Sequence, residues 1–197
     1  MNKYINYVIG IVSLSGGGKT ALTNKLIEKI EDSTPVYFDE YDDFTTHPPM
    51  ETWSNEDINY NDWKFPRLIF DLQSLKAGID IAHPLTKTTV KANKFIIFDA
   101  AFGRANDELN QLIDLMVYID TPLDVAMGRR ILRGIENKEF DTLNSIKEDV
   151  EIYINRARQA YLIGDKAMRP RSDLVLDGTL TLEQLGKQVI QKLESKI

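Results

Sequence analysis

The 197-residue chain contains no cysteine. This absence excludes disulfide bonds, a thiol nucleophile and cysteine-ligated metal sites. It is compatible with a reducing compartment, and we expect a cytoplasmic protein. Histidine is also scarce: His47 and His83 each stand beside a proline, without the spacing of a metal-binding pair. We therefore expect both histidines to be structural rather than catalytic.

Long apolar runs and an excess of positive charge are missing as well. No stretch approaches the roughly 20 apolar residues that a membrane-spanning helix needs. The formal net charge is -6, which disfavours a general nucleic-acid-binding role. We therefore expect the chain to bind a small molecule and to bind neither nucleic acid nor a membrane. Homo-oligomerisation stays open.

The apolar start of the chain is either a signal peptide or a strand. The run Tyr7–Val12 is short and leads directly into a glycine cluster, which favours a buried first strand. Hydrophobic residues make up 43% of the chain, enough for a substantial core at this length. We expect one domain over residues 1–197.

Strand and helix signals alternate along the chain. Buried strands are predicted at Tyr7–Val12, Pro35–Phe38, Lys94–Asp99, Leu115–Asp120 and Asp173–Gly178. Helices are predicted from Lys19, from Pro66 to Gly78, around 107–113, after Thr121 as N-cap, over 143–163 and over 181–196. The alternation predicts an α/β fold with a parallel sheet covered on both faces. Residues 40–93 interrupt it and are predicted to form a substrate-binding insertion, with a lid at about 128–170.

The glycine-rich stretch "GIVSLSGGGKT" (10–20) lies between the first strand and the first helix. In that context, glycines let successive backbone N–H groups surround a phosphate at a helix N-terminus. The stretch departs from G-x-x-x-x-G-K-[ST] only in having Ser13 at the first glycine. Lys19 is predicted to contact the β and γ phosphates of ATP, and Thr20 to bind Mg²⁺. The residues predicted to bind the nucleotide are Ser15, Gly16, Gly17, Gly18, Lys19, Thr20 and Ala21.

Acidic residues follow two of the predicted strands, where ligands of open parallel sheets bind. Asp99 follows an apolar strand and is predicted to hold Mg²⁺ together with Thr20, directly or through water. Asp39 is predicted to accept the proton of a substrate hydroxyl. Asp42 and Asp43 are rivals for that role, and a solvated acidic loop is the alternative for the whole stretch.

Arginine is concentrated in the second half of the chain, with seven of nine arginines between positions 129 and 171. Arg129, Arg130 and Arg133 fall within one predicted helix, where residues three and four apart share a face. Such a cluster is suited to closing over a triphosphate and neutralising its charge. The alternative is a solvated helix face that pairs with nearby glutamates.

Aromatic residues gather in the predicted insertion, at Tyr41, Phe44, Trp53, Tyr60, Trp63 and Phe65. They are suited either to stacking on a flat ring or to an ordinary core. We predict that Tyr41, Trp63 and Arg104 contact the substrate, together with Asp39.

The segments "SLSGGGKT", "YFDEYDDF", "NDWKFPRLIFDLQSLKAG", "FIIFDAAFG", "YIDTPLDVAMGRRILRG" and "SDLVLDG" resemble those of the P-loop small-molecule kinases. This family is typified by uridine kinase, phosphoribulokinase, bacterial pantothenate kinase and nicotinamide riboside kinase. The resemblance implies a P-loop NTPase fold with a five-stranded parallel sheet in the order 2-3-1-4-5, and ATP with Mg²⁺ as cofactors. It implies Asp39 as the base, with Lys19, Arg129 and Arg133 around the phosphates and Gly178 near the adenine.

The chain also departs from that family's pattern. It has Asp99-Ala100 where the family usually shows glutamate and glycine. It has Pro84-Leu85-Thr86-Lys87 where uridine kinases show proline-x-tyrosine-aspartate, which disfavours uridine as the acceptor. The sequence predicts an ATP-dependent kinase for a hydroxyl of a small metabolite, such as a nucleoside or ribosyl compound. The alternatives are a nucleotide-binding regulator or scaffold without transfer, and a switch NTPase, which the lack of an N-K-x-D pattern disfavours.

Overall fold

A computed structural model describes residues 6–49 and 58–197. Its main sheet contains five parallel strands: β1 (Tyr7–Val12), β2 (Ser33–Tyr37), β3 (Phe95–Asp99), β4 (Leu115–Asp120) and β5 (Leu174–Asp177). Their order across the sheet is β2-β3-β1-β4-β5, which confirms the expected α/β fold. Because all strands run in parallel, their carboxyl ends meet at one edge of the sheet.

Helices cover both faces of this sheet. They are α1 (Lys19–Lys29), α2 (Pro66–Lys76), α3 (Asp107–Asn110), α4 (Leu123–Glu136), α5 (Leu143–Ile152), α6 (Arg158–Met168) and α7 (Leu182–Glu194). Side chains from α1 and α7 pack on one face, and side chains from α2, α3 and α6 pack on the other. Alternate residues of each strand therefore enter different cores, as the two-residue period of a strand requires.

Several helix starts follow directly from the local sequence. Leu22 and Leu26 form the buried face of α1, as the spacing predicts. Pro66 occupies the first turn of α2, where its missing N–H is tolerated. Thr142 and Thr181 begin α5 and α7 with reciprocal capping hydrogen bonds.

Three local predictions were wrong. The N-cap of α4 is Pro122, because the hydroxyl of Thr121 donates instead to the carbonyl of Gly17 at 2.9 Å. The single helix expected over 143–163 is α5 and α6 joined by a π-helical turn at Tyr153–Ala157. Strand β2 ends at Tyr37, so Asp39 lies in a 3₁₀ helix over Phe38–Phe44 rather than at a strand end.

The described part of the predicted insertion is not a separate unit. Helix α2 within it buries Leu68, Leu72 and Leu75 in the core, and a small antiparallel hairpin pairs Ile81–Ala82 with Thr89–Val90. Trp53 lies outside the described residues. In the described ranges, no helix combines the length and the apolar character that crossing a bilayer requires.

Candidate active site

A cavity of about 440 Å³ opens at the carboxyl ends of β1 and β3. Its walls come from the glycine-rich loop, the 3₁₀ helix after β2, the end of β3 and helices α4 and α6. Among the residues that line it are Ser15, Gly16, Lys19, Thr20, Asp39, Trp63, Asp99 and Arg133. The structure therefore brings together residues that the sequence analysis selected from separate segments.

Two glycines of the loop have backbone conformations or contacts that other residues do not tolerate. Gly16 and Gly18 have φ angles of +79° and +99°, in the left-handed region that favours glycine. A Cβ atom on Gly16 would also lie 2.2 Å from the carbonyl oxygen of Ala126 in α4. The loop therefore packs closely against α4, and helix α1 begins directly after it at Lys19.

The third glycine, Gly17, is explained by the residue that departs from the loop motif. Ser13 is buried, and its hydroxyl donates to the carbonyl of Ile119 at 2.7 Å. A Cβ atom on Gly17 would lie 1.8 Å from that same hydroxyl oxygen. Gly17 therefore makes room for Ser13, and together with the Thr121 bond this ties the loop to the end of β4. The signal in the sequence was an extra glycine, Gly17, in a loop that lacks the motif glycine at position 13.

Lys19 and Asp99 carry opposite charges at the cavity wall, and Asp99 is buried while Lys19 is half-buried. Burial lowers the pKa of Lys19, and the charges of Asp99 and Asp39 oppose that effect. Burial likewise raises the pKa of Asp99, against the opposing influence of Lys19 and of the hydroxyl of Thr20. The pocket thus disfavours both charged forms when no ligand balances them, and a bound triphosphate would stabilise the Lys19 ammonium.

Thr20 and Asp99 fit a magnesium ion. The Thr20 hydroxyl donates to Asp99 Oδ2 at 2.6 Å, so two hard oxygen ligands lie side by side at the cavity wall. Over residues 6–49 and 58–197, no group of three or more carboxylates and histidines could hold a metal on its own. Mg²⁺ usually takes one or two protein oxygens and completes its shell with phosphates and water. The donor set therefore suits an ion delivered with a nucleotide.

The surroundings of the acidic stretch distinguish Asp39 from its rivals. Asp39 lines the cavity, and its charge acts on both Lys19 and Asp99. Asp42 has a side chain that is 66% exposed and lies 3.1 Å from His47 Nε2. Asp43 is exposed, as is Asp39 itself, but neither Asp42 nor Asp43 lines the cavity. This geometry favours Asp39 as the base, which stays a prediction. His47 lines the cavity too, although the sequence predicted a purely structural role for this histidine.

The three arginines of α4 have different surroundings. Arg133 lines the cavity, and its charge acts on Lys19. Arg129 Nη1 donates to the carbonyl of Gly178 at 3.0 Å. Arg130 pairs with Asp149 of α5 and donates to the hydroxyl of Tyr161 in α6. Only Arg133 is therefore positioned against the cavity as the predicted arginine cluster required.

Gly178 lies close to the glycine-rich loop without lining the cavity. A Cβ atom on Gly178 would lie 1.9 Å from the Thr121 hydroxyl, which itself binds Gly17. The expected position of Gly178 and Arg129 near the nucleotide base stays a prediction, as do all the predicted nucleotide contacts of the loop from Ser15 to Ala21.

Two residues that were predicted to contact the substrate, Tyr41 and Arg104, instead make contacts within the fold. Tyr41 is 2% exposed and its hydroxyl donates to Asp71 at 3.1 Å, beneath the 3₁₀ helix and away from the cavity wall. Arg104 pairs with Asp173 at 2.9 Å and donates to the carbonyl of Ile113. Both side chains are held by partners in the fold, so neither is directed at a ligand.

An aromatic wall on one side of the cavity was only partly foreseen. The ring centroid of Phe102 lies 5.1 Å from that of Trp63, 5.2 Å from that of Tyr60 and 6.0 Å from that of Phe38. All four rings line the cavity. Trp63 was predicted to contact the substrate, whereas Phe102 was missed. The available signal was its position three residues after the strand-end carboxylate Asp99.

The chain is similar to known proteins over most of its length. The family model described as "Phosphoribulokinase / Uridine kinase family" matches residues 8–168. A uridine kinase of Macrococcus caseolyticus is 28% identical over 147 residues, covering 66% of this chain and 70% of the relative. A uridine kinase of Borrelia garinii is 29% identical and covers 86% of this chain and 85% of the relative.

A solved structure supports the fold. It is described as a possible uridine kinase from Bacillus stearothermophilus and superposes with a TM-score of 0.56 at 21% identity. The match covers 90% of this chain and 91% of that chain.

Proposed function

The chain belongs to the phosphoribulokinase / uridine kinase family, and on this premise we propose that it transfers the γ-phosphoryl group of ATP to a hydroxyl of a nucleoside or related ribosyl compound. That it is a small-molecule kinase with a hydroxyl acceptor follows from the family. The acceptor class and the role of each residue are the proposed part.

One observation carries the proposal. A single cavity is lined by two cations, a hydroxyl–carboxylate pair and a separate carboxylate, contributed by Lys19, Arg133, Thr20 with Asp99, and Asp39. Phosphoryl transfer needs positioned cations around the phosphates and a base beside the attacking oxygen. These are the groups that the cavity supplies.

The proposed reaction assigns each group a task. The acceptor oxygen bonds to the γ phosphorus, the bond from that phosphorus to the β–γ bridging oxygen breaks, and ADP leaves. Asp39 takes the proton of the acceptor hydroxyl. Lys19 and Arg133 donate hydrogen bonds to phosphate oxygens as their negative charge is redistributed. Mg²⁺ held by Thr20 and Asp99 would neutralise charge on the phosphates.

The aromatic wall supports an acceptor that contains a flat ring. Phe38, Tyr60, Trp63 and Phe102 line the cavity, and aromatic rings stack on bases. The cavity volume of about 440 Å³ lies within the range of small-molecule sites. A nucleoside places its ring and its hydroxyls within such a space.

A substrate screen tests the proposal. Purified protein with ATP and Mg²⁺ is incubated with nucleosides, nicotinamide riboside, pantothenate or sugar phosphates, and ADP release and product mass are measured. We expect acceptor-dependent ADP release with a nucleoside or riboside, and none from the Lys19→Ala control. Tight ATP binding without any product would favour the alternative, a nucleotide-binding regulator.

A further inference from the structure

Arg130 occupies a junction between the three helices α4, α5 and α6. One guanidinium nitrogen, Nη2, pairs with Asp149 Oδ1 in α5, and the other, Nη1, lies 3.3 Å from the hydroxyl oxygen of Tyr161 in α6. The side chains of Arg130 and Asp149 are 21% and 18% exposed. Arg130 is therefore engaged by two partners on its neighbouring helices, and it is not among the residues that line the cavity.

Helix α5 depends on this junction. None of its residues is buried, so apolar packing contributes little to holding it against α4. The second oxygen of Asp149, Oδ2, is buried and has no hydrogen-bond partner among the described residues. Since a buried carboxylate without a cation is costly, Arg130 is the group that makes the position of Asp149 stable.

Tyr161 connects this junction to the cavity. It lines the cavity on the α6 side, beside Ala160 and Gly164. A tyrosine hydroxyl both donates and accepts hydrogen bonds. Because the Arg130 N–H already binds the hydroxyl oxygen, the O–H of Tyr161 remains to donate.

We propose that Tyr161 is a specificity-determining residue that donates a hydrogen bond to an oxygen of the phosphoryl acceptor, and that Arg130 is the positioning residue that holds it there. The proposal rests on the proposed kinase function. It assigns to Arg130 a role other than that of a phosphate ligand, and it adds a polar contact to the acceptor from α6.

The kinetic test uses the acceptor that gives most product in the substrate screen. Tyr161→Phe keeps the ring and removes only the hydroxyl, and we expect the KM for the acceptor to rise about five- to tenfold, the equivalent of one neutral hydrogen bond. The KM for ATP should stay unchanged. Tyr153→Phe is the matched control, because Tyr153 lies against the Tyr161 ring at 6.1 Å but outside the cavity wall. An unchanged acceptor KM for Tyr161→Phe would overturn the proposal.

The positioning role has its own readouts. Arg130→Met should raise the acceptor KM as Tyr161→Phe does, and the double variant should add little to either. Arg130→Lys keeps the positive charge and should restore most of the affinity for the acceptor. If the unpaired Asp149 charge prevents Arg130→Met from folding, the double variant Arg130→Met with Asp149→Asn replaces it in the test. A rise in the KM for ATP with the acceptor KM unchanged would make Arg130 a phosphate ligand instead. A lower melting temperature alone would make it merely structural.

A measurement without substrate separates the two proposals. In a denaturant-unfolding cycle, Arg130→Met and Tyr161→Phe should couple by about twofold or more in the unfolding equilibrium constant. Additive effects would overturn the positioning role. If the screen yields no phosphorylated acceptor, both the proposed function and the proposed hydrogen bond from Tyr161 to the acceptor are wrong. A measured coupling would still support Arg130 as the residue that holds Tyr161.

Discussion

Replacing Gly17 with alanine tests why the loop contains an extra glycine. The added Cβ would lie 1.8 Å from Ser13 Oγ, 2.8 Å from Ser13 Cβ and 2.9 Å from the carbonyl oxygen of Leu14. The φ angle of Gly17 is outside the left-handed region, so the obstacle is steric contact rather than the backbone conformation. Ser13 has little freedom to move, because it is buried and bonded to Ile119.

The expected destabilisation follows from these contacts. Overpacking of this kind costs about 1–3 kcal/mol, and displacing Ser13 from Ile119 loses about 1 kcal/mol of hydrogen bonding. Gly17→Ala should therefore lower the free energy of unfolding by about 2–4 kcal/mol, or Tm by about 4–16 °C for a chain of this size. Gly128→Ala is the matched control, since nothing lies within 4 Å of its added Cβ. In a helix that substitution should be neutral or stabilise by up to about 1 kcal/mol.

A second substitution decides whether Ser13 is the cause. Ser13→Gly restores the motif glycine and should cost about 1–2 kcal/mol through the lost hydrogen bond and added chain freedom. The double variant should be more stable than the sum of the single effects by at least about 1 kcal/mol, since the Ser13 contacts are then gone. Urea unfolding of the four proteins gives the coupling. Additivity within about 0.5 kcal/mol would refute the reasoning and leave the Leu14 carbonyl as the obstacle.

Three further substitutions test the charged groups of the cavity, with Asp42→Asn outside the cavity as the control for the second. Lys19→Ala should abolish acceptor-dependent ADP release, and near-normal turnover would contradict the phosphate-loop assignment. Asp39→Asn should lower kcat by about 10²–10⁴, the usual contribution of a general base, with ATP affinity nearly unchanged in a binding titration. Asp42→Asn should remain near wild type, and the opposite result would move the base to Asp42. Asp99→Asn should remove Mg²⁺-dependent turnover yet raise the Tm of the ligand-free protein. A carboxyl group whose pKa is raised by folding stabilises the fold while protonated and loses that contribution as pH rises. The gain in Tm should therefore be larger at pH 7 than at pH 5, and an equal gain would contradict a raised Asp99 pKa.

The sequence by itself determined the positions of the strands along the chain and the identity of the phosphate loop. Apolar runs such as Tyr7–Val12 and Leu115–Asp120 became strands with the predicted bounds, because a strand buried on both faces must be apolar throughout. The glycines before Lys19 were equally informative, since a turn with positive φ at the start of a helix strongly restricts the residue type. Both signals are local, so neighbours along the chain are enough to read them.

Only the tertiary structure decided which candidate side chains meet. Ser13 bonds to Ile119, 106 residues away, and Thr20 bonds to Asp99, 79 residues away. Which of Asp39 and Asp42 lines the cavity likewise depended on how one short 3₁₀ helix faces the loop, and the separation of Arg130 from Arg133 depended on where α5 and α6 lie against α4. A sequence pattern gives the face of a helix on which a residue lies, whereas the partner of that face is set by packing between segments distant in the chain.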